Sequence, residues 1–304
     1  MSNNPEMNAG MALSNAVADG VERAGQVTVM VNARRRLPLS GVLFAADLVL
    51  TASHGVEREE DIQVVFGDGS ERTASLAGRD RGTDLALLRL ASAATPGVAQ
   101  PAAQAARVGN LVVAVGRPSS GGVQASLGMV NAIGGGLRTQ AGGLVERYLV
   151  TDAVPYPGFS GGPLVDLGGG LLGINTSGLV RGTSLAIPVD VAWSIAQNLA
   201  QHGHIRRGFL GIRSQEVDLP AQGQALGREQ SSGLLIMGVE ADGPAAKGGL
   251  MVGDILVGMN DQPIANHDAL MALLNGDVAG KTAQVQVLRG GQPLTLPILV
   301  GERA

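Results

Sequence analysis

The sequence predicts a mainly β protein built from two domains. Three observations carry this. Glycine accounts for 46 of 304 residues and aromatics for only 2%, which puts glycine at roughly twice its usual share and implies frequent turns. From Val27 to about Pro188, short apolar runs are broken by turn signals, the pattern of an all-β barrel or sandwich. The run His202–Arg207 (HGHIRR) then interrupts the apolar pattern, and a second β-rich block starts at Gly208. The expected organisation is a partly helical segment over 1–20, a first domain over 21–200, a linker over 201–207 and a second domain over 208–304.

Each element has its own warrant. Leu13, Val17 and Val21 stand four apart, which predicts a short amphipathic helix over 11–24. Val27, Val29 and Val31 then alternate with Thr28 and Met30, the period of two that a strand has. Val64–Phe66 runs into Gly67-Asp68-Gly69, a hairpin signal. Asp84–Leu90, Leu111–Val115, Tyr148–Thr151 and Leu171–Asn175 are further strand candidates, and Asp190 is placed to cap a helix through Ile195 and Leu199 that ends near Gly203. In the second block, Phe209–Ile212 is followed by a polar insert containing Pro220, Gly223 and Gly227. Strands are then expected at Leu234–Val239 and Gly253–Met259, and a helix at Asp268–Leu274 closed by Asn275-Gly276. A hairpin follows, out along Gln284–Leu288 and back along Leu294–Val300 through Gly290-Gly291.

Composition removes several function classes. With 22 basic against 26 acidic residues, a net charge of −4 argues against a generic nucleic-acid binder, which needs Lys and Arg at phosphates. The absence of cysteine excludes disulfides, thiolate zinc sites, iron–sulfur clusters and cysteine nucleophiles. No apolar run approaches the 18 or so residues of a membrane-spanning helix, and Met1–Gly10 has neither the basic start nor the apolar core of a secretory signal. As written, the chain is expected in the cytoplasm. A periplasmic or extracellular location is the alternative if a leader was removed.

Histidine is scarce, occurring at 54, 202, 204 and 267, so the search for a general base is short. His54 follows the strand-like run Val49–Ala52, Asp84 opens DLALLRL, and Ser160 lies between glycines in Pro157-Gly158-Phe159-Ser160-Gly161-Gly162. A serine hydroxyl needs a neighbouring base to attack a carbonyl. Neutral imidazole can take its proton and return it to the leaving amine, while a buried carboxylate fixes the tautomer. The N–H groups of Gly158 and Ser160 are candidates for the oxyanion hole. Asp61, Asp68 and Asp80 sit among polar or turn residues and make weaker candidates than Asp84. Other motifs lead nowhere. His202 and His204 lack a third ligand nearby, Asn275–Thr282 (NGDVAGKT) lacks the first glycine of a phosphate loop, and Arg34-Arg35-Arg36 reads as a solvated loop.

The order His54, Asp84, Ser160, within TASH, TDLALL and GFSGGPL, resembles the trypsin-like serine proteases, and most closely the HtrA/Deg branch. Thr151-Asp152-Ala153, Gly173-Ile174-Asn175-Thr176 and Ala186-Ile187-Pro188 match that branch too, and the second block resembles the PDZ domain that follows its protease domain. The resemblance covers about residues 20–301. It implies a chymotrypsin-like double β-barrel followed by a PDZ domain with two short helices. It also implies a serine endopeptidase acting on unfolded or damaged polypeptides, with no metal or organic cofactor and no membrane span. Phe209, Leu210, Gly211 and Ile212 would form the loop that holds a peptide carboxylate, the peptide adding as a strand beside Ile212 against the helix at Asp268. Val154 would line the S1 pocket and favour small aliphatic P1 residues over Lys or Arg.

Three departures are visible. Phe159 stands where the family usually carries Asn, which keeps open the alternative of a latent or inactive protease acting as a peptide-binding chaperone. No aromatic precedes Phe44, whereas the family's homotrimers are commonly knit by N-terminal aromatics, so the trimer stays open. The loops after Asn32 and Gly134 are expected to be short.

Overall fold

A computed structural model describes residues 5–94, 97–139, 144–180, 183–204, 207–219, 229–274 and 278–303. The chain divides into two compact units, Met1–Ile205 and Arg206–Ala304.

In the first unit, β1 (Thr28–Asn32), β2 (Leu39–Ala45), β3 (Leu48–Ala52), β4 (Ile62–Val65), β5 (Glu71–Asp80) and β6 (Leu85–Leu90) close into a barrel of order β1-β2-β3-β6-β5-β4. A second barrel, of order β10-β11-β12-β9-β8-β7, is formed by β7 (Leu111–Ser119), β8 (Gly122–Arg138), β9 (Leu144–Thr151), β10 (Pro163–Val165), β11 (Leu171–Thr176) and β12 (Ser184–Pro188). The long apolar runs of the sequence follow from this arrangement. Along β6, Ala86, Leu88 and Leu90 fill the first barrel. Leu85 and Leu87 face the other way, into a cluster shared with Val113 and Val115 of β7 and Ile174 of β11. Strands buried on both faces lose the polar alternation of a half-buried strand. The shared cluster also locks the two barrels together, which fixes the cleft between them.

Two helices brace this unit. α1 spans Pro5–Val27, longer at both ends than the expected 11–24. Its inward stripe, buried Ala24 with the partly buried Val17, Val21 and Val27, joins the inter-barrel cluster, so packing carries the helix past the end of the local pattern and takes Val27 out of the strand. At its C-terminus, Thr28 Oγ1 donates to the Ala24 carbonyl (2.7 Å). The buried Arg117 donates from Nε to the Thr28 carbonyl (2.8 Å) and from Nη2 to the Gly25 carbonyl (3.0 Å). A cation on the orphan carbonyls of a helix end is the favourable polarity.

α2 spans Val189–His202 and presents Ala192, Ala196 and Leu199 to the same cluster, with Trp193 edge-on to Phe44 (centroids 5.0 Å). Asp190 does not cap it. The N-cap is Pro188, which offers no side-chain acceptor, and Asp190 lies in the first turn paired with Arg147. The helix closes as expected at Gly203, whose N–H donates to the Leu199 carbonyl. His204 bridges to Arg79 of β5, so residues 201–204, expected as linker, are structured as the end of this unit. At Gly134, where a short loop was expected to begin, β8 instead continues to Arg138 and pairs with β9. Gly134 lies opposite Tyr148, whose ring covers the space a side chain would take.

The second unit contains β13 (Arg207–Phe209), β14 (Ile212–Asp218), β15 (Ser232–Val239), α3 (Pro244–Lys247), β16 (Ile255–Met259), β17 (Gln262–Pro263), α4 (His267–Leu274), β18 (Thr282–Arg289), β19 (Gln292–Leu299) and β20 (Gly301–Arg303). Its main sheet runs β14-β15-β16-β18-β19, which leaves β14 at an edge. Leu210, Ile236, Leu256, Leu270, Val287 and Ile298 belong to its separate core. The insert with Pro220, Gly223 and Gly227 and the Asn275-Gly276 helix stop lie outside the described residues.

Candidate active site

The register of the first barrel brings His54 and Asp84 together. β3 pairs with β6 so that Ala52 lies opposite Leu85, and the next residue on one strand and the preceding one on the other are therefore neighbours. His54 sits in the 3₁₀ turn Ser53–Gly55 that follows β3. Its Nδ1 is 2.7 Å from Asp84 Oδ2, its main-chain N–H donates to Asp84 Oδ1 (2.7 Å), and the Ser53 N–H donates to the Asp84 carbonyl (2.9 Å). Asp84 has φ +59, a left-handed conformation that aspartate tolerates better than most residues and that is often kept at functional sites. Its side chain is 6% exposed, against 31% for His54.

A third donor, Thr176 Oγ1 at the end of β11, also reaches Asp84 Oδ2. An ionised carboxylate only accepts hydrogen bonds. Nδ1 of His54 must therefore carry a proton, and Nε2 is left as the free basic nitrogen. Beside the pair lies a cleft of about 340 Å³, bordered by His54, Asp84 and Gly178 with Arg79 and Arg81 at its margin.

Ser160 stands in a loop shaped by its neighbours' carbonyls. Gly158 (φ +90) and Gly161 (φ +85) take left-handed conformations, and a Cβ on Gly161 would collide with the Ser40 carbonyl. Buried Ser40 holds the loop from β2. Its N–H donates to the Ser160 carbonyl (3.1 Å), and its hydroxyl donates to the Gly158 carbonyl (2.7 Å) while accepting from the Arg117 N–H (2.8 Å). The Phe159 carbonyl accepts from the Gly162 N–H (2.9 Å), and the Phe159 N–H donates to the Tyr156 carbonyl (3.0 Å). Among the described residues the N–H groups of Gly158 and Ser160 donate to nothing, as an anion-binding pair requires. The Phe159 side chain is 1% exposed, packs in the second barrel's core edge-on to Tyr156 (centroids 5.4 Å), and lies against Gly116, which has no side chain to obstruct it. Its departure from the family pattern therefore has a packing basis.

The Ser160 hydroxyl is turned to Ser177 Oγ (3.0 Å) and makes no hydrogen bond to His54 among the described residues. Val154 is 48% exposed, its N–H held by Ser126 Oγ (2.8 Å). Asp152 accepts from the Met129 N–H (2.7 Å), a structural task. In the second unit, Phe209 closes β13, Leu210 is buried, Gly211 has φ +74, and Ile212 opens the edge strand β14. His267, at the start of α4, ties that helix to β14 through Ser214 Oγ (3.1 Å), the Ser214 carbonyl (3.2 Å) and Glu216 Oε1 (3.1 Å). Sequence reasoning singled out none of Ser40, Ser177, Arg117 or His267 for the site, because their partners are distant along the chain. Thr176 entered only as part of a motif.

Residues 39–174 match the trypsin-like peptidase domain family, and residues 208–300 match the PDZ domain family. Among solved structures, the HtrA-type protease AlgW with a decapeptide is 30% identical, with a TM-score of 0.77, and the match covers 95% of this chain and 99% of that one. This chain belongs to the HtrA-type protease family. A serine endoprotease from Yersinia pestis matches this HtrA-type chain equally well, with 30% identity and a TM-score of 0.77 over 95% and 98% of the two chains. A curated relative from Pseudomonas fluorescens, "Probable periplasmic serine endoprotease DegP-like", is 36% identical over 268 residues, and one of the same name from Halomonas elongata is 33% identical over 274. The matches cover 86% and 88% of this chain but only 56% and 57% of those relatives.

Proposed function

We propose that this HtrA-type chain is a serine endopeptidase. Ser160 is the nucleophile, His54 the general base and acid, and Asp84 the orienting carboxylate. The observation that carries the reading is the hydrogen-bonded set His54–Asp84–Thr176, which leaves Nε2 basic beside a serine loop with two unengaged N–H groups. After rotation of the Ser160 hydroxyl, Nε2 takes its proton as Oγ attacks the peptide carbonyl. The Gly158 and Ser160 N–H groups bind the resulting oxyanion. Protonated His54 then gives the proton to the leaving amine, and water hydrolyses the acyl-enzyme by the reverse sequence. Val154 gives the S1 pocket an apolar wall suited to small aliphatic residues.

The substrates are unfolded or damaged polypeptides. Apolar C-termini bind the PDZ domain, with their carboxylate on the Phe209–Ile212 loop and their backbone added to the free edge of β14. The peptide complexes of AlgW and the periplasmic naming of the curated relatives support peptide substrates and a periplasmic location. The test is fluorophosphonate labelling together with digestion of unfolded casein. Both signals should vanish in Ser160→Ala, and the reading is lost if both persist. Binding of apolar C-terminal peptides without turnover would instead favour the chaperone reading.

A further inference from the structure

Three consecutive residues at the end of β11 each meet a different part of the triad. Thr176 Oγ1 donates to Asp84 Oδ2. Ser177 Oγ lies 3.0 Å from Ser160 Oγ. Gly178 packs so closely that a Cβ would stand 2.7 Å from His54 Nδ1 and 2.5 Å from Asp84 Oδ2. The first and third contacts hold the carboxylate and admit the imidazole. Ser177 bonds to the proposed nucleophile itself, a contact that the mechanism does not use.

We propose that Ser177 is a positioning residue that holds the Ser160 hydroxyl in a resting rotamer off His54, so that only molecules released from this contact can react. The inference rests on the reading of Ser160 as nucleophile. A serine hydroxyl has a single proton to donate and three staggered positions about its Cα–Cβ bond. Either hydroxyl can donate in this contact, but while the Ser160 Oγ is turned to Ser177 and makes no hydrogen bond to His54 among the described residues, the base has no proton within reach and attack is stalled.

The contact is well placed to persist. The backbone of Asn175 exchanges hydrogen bonds with the nucleophile loop, accepting from Gly161 N–H (2.8 Å) and donating to the Gly162 carbonyl (2.9 Å). The Gly178 N–H donates to Thr176 Oγ1 (3.0 Å). Ser177 is thus pinned on both sides while its own side chain is exposed to solvent. A single neutral hydrogen bond in contact with water shifts a rotamer population modestly, so the restraint slows the enzyme without silencing it.

The test compares wild type, Ser177→Ala and Ser177→Thr in fluorophosphonate labelling and in steady-state cleavage of a chromogenic peptide, each across the histidine titration range. Ser177→Ala should label about two- to tenfold faster and raise kcat by the same factor, with KM and the midpoint of the pH profile unchanged, because the contact contains no group that ionises there. Ser177→Thr, which keeps the hydroxyl, should return the rate toward wild type. The inference is overturned if Ser177→Ala labels no faster than wild type, if its gain lies in KM, or if the midpoint moves. Ser160→Ala separates the two levels. If it still labels, the nucleophile reading falls and this inference with it. If it is silent and Ser177→Ala is no faster, only the inference falls.

Discussion

At the scale of single residues, Ser40 shows how much of the site depends on a side chain that touches no substrate. Its hydroxyl and N–H hold the carbonyls of Gly158 and Ser160, which sets the peptide planes around Ser160. Ser40→Ala should lower kcat by roughly tenfold with a smaller change in KM. That is less than the 10²–10³ typical of deleting an oxyanion donor outright, because the donor is loosened and not lost. Steady-state kinetics on a peptide substrate checks it, and an unchanged kcat would mean that Gly158 needs no holder. His54, Asp84 and Ser160 were legible because each lies in a short motif of a scarce or glycine-flanked residue type. Ser40 was not, since it stands 118 positions from Gly158, and nothing around LPLSG announces that partner.

At the scale of elements, burial on two faces explains both what the sequence revealed and what it concealed. The apolar runs announced β6 and β7, but only the closed barrels explain why those runs lack polar alternation. α1 was legible where Leu13, Val17 and Val21 repeat, and it was misjudged at its ends, where docking and the distant Arg117 take over. Burial pushes the Arg117 guanidinium below its ordinary pKa, yet arginine stays charged and matches the helix end. Arg117→Ala should destabilise this unit by on the order of 2 kcal/mol, as buried carbonyls lose charge-assisted partners. Chemical denaturation measures this, and a loss below a few tenths would mean that water replaces the guanidinium. Asp190 shows the opposite error. It has the right residue type two positions past the N-cap, where it pairs with Arg147 instead of capping.

At the scale of the whole molecule, separate cores make the two units separable objects. A chain ending at Ile205 should fold and still label with fluorophosphonate, because the triad and both barrels lie within it; loss of cooperative unfolding in that chain would refute independence. The second unit carries its own acid-sensitive anchor. Burial pushes Asp254 up, but the Arg289 fork (2.8 Å at both carboxylate oxygens) and the Met251 N–H (2.9 Å) outweigh it and hold its carboxyl below the ordinary value. The folded state therefore binds this proton more weakly than the unfolded chain. The pair's stabilisation is complete above the ordinary carboxylate range and is lost as pH falls through the lower, folded value. Asp254→Asn should flatten the acid end of this unit's stability curve in thermal melts between about pH 3 and 6, and an unchanged slope would exclude Asp254 as its source.

The sequence by itself determined the residue types, the spacing of the three candidate catalytic side chains, the mainly β character and the break near residue 205. Those are local properties, written in period, turn chemistry and composition. Tertiary structure alone decided that Ser40, Thr176 and Ser177 converge on the loop and the triad, and that Arg117 closes the end of α1. It also decided that Phe159 is core and that the Ser160 hydroxyl rests against another serine. Such contacts join residues far apart along the chain, and they exist only once closed barrels have fixed the register of every strand.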